Sequence, residues 1–153
     1  MTNTGSIVES ESTVPMKTLC ILCPASDVMN ALLSNEESRT ELSHCLLSCV
    51  NYKISESILR VTRHLIVKVS NYFYRTDLHV LVDILLRHVQ DLEPKSKLRL
   101  DVFRTLLCVI SKSNWADVGT YRIVDIVDTM EDLSVQSGYE DAARCVKLLR
   151  TWL

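Results

Sequence analysis

The 153-residue sequence predicts an all-α fold, and three observations carry that prediction. Glycine and proline occur three times each, too rarely to supply the positive-φ turns of a β-sandwich or a phosphate-cradling loop. Apolar residues recur at helical spacing from Met16 onward, and short polar joints cut this pattern into segments of about four turns. The composition, 47% hydrophobic and 24% charged, is that of a globular chain, and a domain near this size buries about 70% of its unfolded surface without help from disulfides or metal.

Residues 1–15 are rich in Ser, Thr and Glu and poor in large apolar groups, which predicts a flexible tail before a helical-repeat domain over 16–153. The first helix is expected at about 26–34, capped by Ser26 or Asp27, with Val28, Met29, Leu32 and Leu33 on one side. The second, about 37–51, carries Leu42, Cys45, Leu46, Cys49 and Val50. The third, about 55–70, aligns Ile58, Val61, Leu65 and Val69, leaving Arg60, Arg63 and Lys68 largely off the stripe. Thr76 is placed to cap a fourth helix, about 77–92, striped by Leu78, Leu81, Val82, Leu85, Val89 and Leu92, with Asp83 and Arg87 paired at i,i+4 on its wet side.

Pro94 ends that run and Ser96 can cap the next at once. The fifth helix, about 97–112, turns Leu100, Phe103, Leu106, Leu107 and Ile110 inward and leaves Lys97, Arg99, Arg104 and Lys112 hydrated. Breaks at Asn114 and Gly138 precede a sixth helix, about 117–134, and a seventh, about 138–151. Similar helix lengths and short joints suit either a compact bundle or an armadillo/HEAT-like α-solenoid of six or seven helices. The tight link from Glu93 to Ser96, which makes an antiparallel pair of the fourth and fifth helices, favours the solenoid.

The net charge of −2 does not suggest a nucleic-acid binder, but the charge is unevenly spread. Residues 1–52 balance to −4, residues 53–112 to +5 and residues 113–153 to −3. The central basic block could steer a partner with an acidic surface, although a solvated helix face is the simpler explanation. Within it Lys95, Lys97 and Arg99 cluster at the start of the fifth helix, where the dipole disfavours cations. All three are therefore expected at an exposed end, tolerant of charge reversal and available for binding.

Six cysteines would suggest disulfides in a secreted chain, but the first 13 residues lack the basic start and apolar run of a signal peptide. Charged residues interrupt every apolar stretch, so no membrane insertion is expected and a cytoplasmic location is. Cys20, Cys23, Cys45 and Cys49, with His44 beside them, could in principle surround zinc. Cys45 and Cys49, however, lie at i,i+4 on an apolar stripe, where small thiols pack well. A zinc-dependent or thiol-dependent protein is thus the weaker alternative, and no other cofactor is indicated. No Gly-x-Ser-x-Gly elbow, His-Glu-x-x-His pair or Walker loop occurs. The histidines offer only a geometric contact of His79 with Asp83, and no enzyme is expected.

One aromatic cluster, Tyr72-Phe73-Tyr74 followed by Arg75, stands where the third helix gives way to the fourth. Aromatic groups beside a cation can stack on bases, but such a group at an interhelical corner more often wedges two helices together. The run from Tyr72 to Asp77, Val80-Leu81-Val82-Asp83-Ile84-Leu85-Leu86-Arg87, then Asp91-Leu92 and Lys97-Leu98-Arg99-Leu100, resembles the leucine-rich armadillo domain of the WISH/DIP/SPIN family. That family comprises the Nck-interacting proteins with a Src-homology domain and their fungal relatives. The resemblance is close over residues 70–110. It departs from the family pattern where Arg75 interrupts the tyrosine-threonine pair and Thr76-Asp77 replaces Thr-Asn-Asp.

This resemblance implies an interaction module, without catalysis, that binds the actin-nucleating Arp 2/3 complex and promotes linear filaments at the cytoskeleton. It also implies longer relatives with more armadillo helices. Lys95, Lys97 and Arg99, and after them Tyr72 and Arg75, are the expected partner-binding residues. A helical-repeat adaptor for another protein is the alternative partner class.

Overall fold

The computed structural model describes residues 35–153. The expected tail and first helix, and Cys20 and Cys23, lie outside them. Among the described residues the fold is entirely helical, with six helices. Helix α1, Glu36–Tyr52, starts where extended Asn35 accepts the amides of Glu37 at 2.9 Å and Ser38 at 3.4 Å, with Glu36 and Glu37 at the positive end of the dipole. Helix α2, Glu56–Lys68, is capped by Ser55, which accepts from Ile58 N at 3.2 Å. Helix α3, Arg75–Asp91, begins after extended Tyr74 with no side-chain cap. Thr76 is therefore inside the helix rather than its cap, and Asp77 supplies the acidic group of the first turn. Helix α4, Lys97–Lys112, has the expected bounds, with Ser96 accepting from Arg99 N at 3.4 Å.

Helix α5, Ile123–Ser134, begins later than the apolar spacing predicts. Gly119, Thr120 and Arg122 all have positive φ, at 115°, 52° and 57°, a conformation that no helix from 117 could accommodate. Trp115, fully buried, holds this loop down by donating from Nε1 to Tyr121 O at 3.1 Å. Helix α6, Asp141–Arg150, likewise starts after Gly138 at φ 92° and after Tyr139, whose ring is spent on the core.

Three helical hairpins result: α1 with α2, α3 with α4, and α5 with α6. Their stacking follows from contacts at matched heights. Ser43, midway along α1, donates to Asp77 in the first turn of α3 at 3.2 Å, and Val50 O near the end of α1 meets His88 Nε2 near the end of α3 at 2.8 Å, so α1 and α3 run parallel. Arg63 donates to Thr105 at 2.8 Å and Asn114 N to Ser70 O at 3.0 Å, so α2 and α4 run parallel too. Asp83 takes the start of the third hairpin through Tyr121 and Arg122, and a cleft of about 220 Å³ farther along is lined by Val89 of α3 and Leu133 of α5. In the first two hairpins like helices thus lie beside like helices in the same direction, whereas sequential up-and-down packing would make every neighbour antiparallel.

The core runs through all three hairpins and includes Leu46, Leu59, Leu65, Leu85, Leu106, Ile126, Met130 and Leu149 at 0% exposure. Helix α3 buries Ile84 and Leu86 as well as its expected stripe, because α1 and α4 pack on different sides of it. Leu85→Ala or Phe103→Ala should destabilise the protein by about 2–5 kcal/mol, the usual cost of a buried large-to-small change. Urea titration followed at 222 nm measures this, and a loss below about 1 kcal/mol at both sites would misplace them in the core.

Candidate protein-interaction surface

The aromatic corner is an interhelical wedge. Tyr72 and Phe73 are buried, at 1% and 3% exposure, with their rings edge to face 5.0 Å apart. Arg39 of α1 fixes the corner. Its Nε donates to Tyr72 O at 2.9 Å, its Nη2 to the carbonyls of Asn71 and Tyr72, and the Tyr72 hydroxyl returns a bond to Arg39 O at 3.3 Å. The guanidinium also lies over the Tyr72 and Tyr74 rings, 5.4 and 5.1 Å from their centroids. As placed, Tyr72 presents no ring face to a base or partner. Tyr74 is partly exposed and donates to Glu36 at 2.7 Å. Arg75 is exposed, its guanidinium beside the Gly119 backbone.

Arg99 overturns the expectation of a hydrated cation. It is 8% exposed, and its Nε donates to Val89 O at 2.9 Å, while its Nη1 donates to Gln136 Oε1 at 2.9 Å and Pro94 O at 3.4 Å. Its guanidinium sits 5.4 Å from the Tyr139 centroid. A cation that the dipole disfavours at the N-terminus of α4 is thus spent on the C-terminal turn of α3, whose last carbonyls lack helical partners and carry negative partial charge. Lys95 and Lys97, by contrast, are exposed.

The i,i+4 pair expected within α3 is replaced by contacts to other hairpins. Asp83 accepts from Arg122 Nη1 at 3.0 Å and from the Tyr121 hydroxyl at 3.2 Å, and Arg87 donates to Asn51. His79 stacks on Tyr121 at 4.0 Å instead of meeting Asp83. Hydrogen bonding to Asp125 and Asp83 raises the Arg122 pKa, and burial raises that of Tyr121. Arg39, Arg63, Trp115 and Arg122, all central to these joints, carry no sequence signal that separates them from surface cations or a loop aromatic.

Cys49 is buried on α1 and Cys45 is half-buried beside it. Among the described residues no group of three or more His, Cys, Asp or Glu side chains is placed to hold a metal, and no helix is long and apolar enough to cross a membrane. Burial raises the Cys108 thiol and pushes Cys145 up to about 11, which disfavours the reactive thiolate. The one cleft described above is lined by Val89, Gln90, Arg99, Thr129, Asp132 and Leu133. Its arginine is already hydrogen-bonded, and it holds no nucleophile paired with a base.

What the fold presents is a stack of helical hairpins with an extended, charged exterior, the form of a protein-interaction domain. A family model described as the SPIN90/Ldb17 leucine-rich domain matches residues 12–126. That is most of the chain, which belongs to this family. No curated protein and no solved structure matches it.

Two tests address these assignments. Arg99→Ala should cost about 2–4 kcal/mol, since it removes charged hydrogen bonds and strips buried acceptors of their donor, whereas Lys97→Ala should change stability by less than about 0.5 kcal/mol. Equal melting curves for the two variants would return Arg99 to the solvent. Iodoacetamide should label Cys145 about a hundredfold more slowly in the folded chain than in urea at pH 8, reflecting its raised pKa. The same shift makes its contribution to stability complete below the ordinary thiol range and lost as pH rises toward 11. Comparable labelling rates by peptide mass spectrometry would refute the buried placement.

Proposed function

We propose that this chain is a helical-repeat interaction module that binds the actin-nucleating Arp 2/3 complex and promotes linear filaments, acting in the cytoplasm at the cytoskeleton without catalysis or a cofactor. Membership of the SPIN90/Ldb17 leucine-rich domain family over residues 12–126 carries this reading. The parallel stacking of like helices supports an armadillo/HEAT-like solenoid over residues 16–153, and such solenoids bind through extended surfaces rather than closed pockets. Lys95, Lys97 and Arg75 serve as contact residues, because they are exposed. Tyr72 and Arg99 support the surface from within.

The purified chain should capture the Arp 2/3 complex from cytosol and shorten the lag of fluorescent-actin polymerisation without added filaments. Lys95→Glu with Lys97→Glu should weaken capture about threefold to tenfold, the range expected for two exposed charge contacts. Since an acidic group at the first turn of α4 suits the dipole, the melting temperature should hold or rise slightly. No capture by the folded wild-type chain would refute the reading.

A further inference from the structure

Charge is sorted by position within the hairpins of this fold. Helix α1 carries three acidic and one basic residue, α3 three and two, and α5 four and none, for balances of −2, −1 and −4. Helix α2 carries three basic and one acidic residue, α4 four and one, and α6 three and one, for +2, +3 and +2. The first helices of the hairpins therefore sum to −7 and the second helices to +7. A net charge of −2 hides this separation, which becomes visible only when helices are assigned to hairpins. Because α2 and α4 pack side by side and parallel, their exposed residues adjoin: Arg60, His64 and Lys68 on one, Lys97, Arg104 and Lys112 on the other. Val67, 63% exposed, and the half-buried Leu100 and Leu107 interrupt the cations.

We infer that the outer face of α2 and α4 is a docking surface for an acidic protein surface. This rests on the protein-interaction reading and gives the partner its chemistry. The face resembles the rim and core of an interface, with cations around apolar contacts. It fits a nucleic acid poorly, because Tyr72 and Phe73 are buried instead of forming a stacking platform, and because Asp101 partly neutralises Arg63 at 3.8 Å and Arg104 at 3.7 Å. It fits a second copy poorly as well. Among the first helices the middle one, α3, is the least acidic, while among the second helices the middle one, α4, is the most basic, so stacking in register sets the strongest charge against the weakest.

The test uses the full chain and immobilised poly-L-glutamate as the probe. The wild type should be retained at low salt and released as sodium chloride rises, since exposed charge contacts are screened. Arg60→Glu combined with Lys68→Gln, Arg104→Gln and Lys112→Gln brings the +5 of α2 and α4 to zero and should lower retention about tenfold. Glu41→Gln with Asp128→Asn, on the acidic helices, should not lower it. If the fourfold variant loses its helical melt, the salt profile of the wild type decides alone, and salt-independent retention overturns the proposal. Equal retention on poly-uridylate, or a salt-sensitive dimer in sedimentation, would also overturn it, in favour of a general polyanion or a second copy. Retention on poly-glutamate without capture of the Arp 2/3 complex leaves the face standing and removes the proposed function. Salt-independent capture of that complex, undiminished in the fourfold variant, does the reverse.

Discussion

The stacking of hairpins depends on arginines that reach across the joints. Arg39 ties α1 to the carbonyls before α3, Arg63 ties α2 to Thr105 and the Asp101 carbonyl of α4, Arg99 ties α4 back to α3 and on to Gln136, and Arg122 ties the third hairpin to Asp83. Two of the four, Arg39 and Arg99, donate to backbone carbonyls that regular helix bonding leaves free. The planar guanidinium suits this work: its donors diverge in a fixed fork, it is less strongly hydrated than ammonium, and its stem packs on apolar surface. A lysine at any of these positions would offer a point charge and could not bridge two carbonyls with the same geometry.

This use of arginine also marks where the sequence was legible and where it was not. Helix α4 was readable to its ends because Pro94, Ser96 and the stripe through Phe103 and Ile110 all agree, and local agreement of this kind is what a periodic pattern reports. The wedge at Tyr72 and Phe73 was readable for the same reason, since adjacent aromatics at a helix joint have few other places to go. Arg99 was not. Its solvation depends on where the C-terminus of α3 lies, ten residues back in sequence but directly opposite in space, and helical periodicity contains no such distance. The start of α5 was missed because Thr120 and Arg122 adopt left-handed φ without being glycine; tertiary packing around Trp115 imposes what local preference opposes.

The charge separation within the hairpins follows from the same geometry. In the first two hairpins the chain goes out along one pair of neighbouring helices and back along the other, so composition that alternates helix by helix sets acidic helices beside acidic ones and basic beside basic. Arg99 is withdrawn from the basic face into a joint, and Asp83 and Arg122, both still partly exposed, are paired with each other. What stays outside is the surplus that no joint uses. Long helical side chains on a rigid stack keep this surplus in fixed rows, which favours recognition by charge pattern over recognition by a shaped cavity.

The third hairpin meets the second through a set of directional contacts as well as the shared core. Between the first and second hairpins Tyr72 and Phe73 are driven into an apolar joint that Arg39, Ser43, Arg63 and His88 bridge with hydrogen bonds. Between the second and third, polar and ring contacts are prominent: Asp83 with Arg122 and Tyr121, His79 on Tyr121, Arg99 with Gln136, and Phe103 against Tyr139 at 4.9 Å. Two atoms at this joint, His79 Nε2 and the Tyr139 hydroxyl, are buried without a hydrogen-bond partner, as is Asn114 Oδ1 where the first two hairpins meet, and each carries a desolvation cost. The family match ends at residue 126, inside α5, so this joint lies at the edge of the shared pattern. Directional contacts of this kind can be replaced by water one at a time, so opening of the third hairpin need not expose the whole apolar core at once.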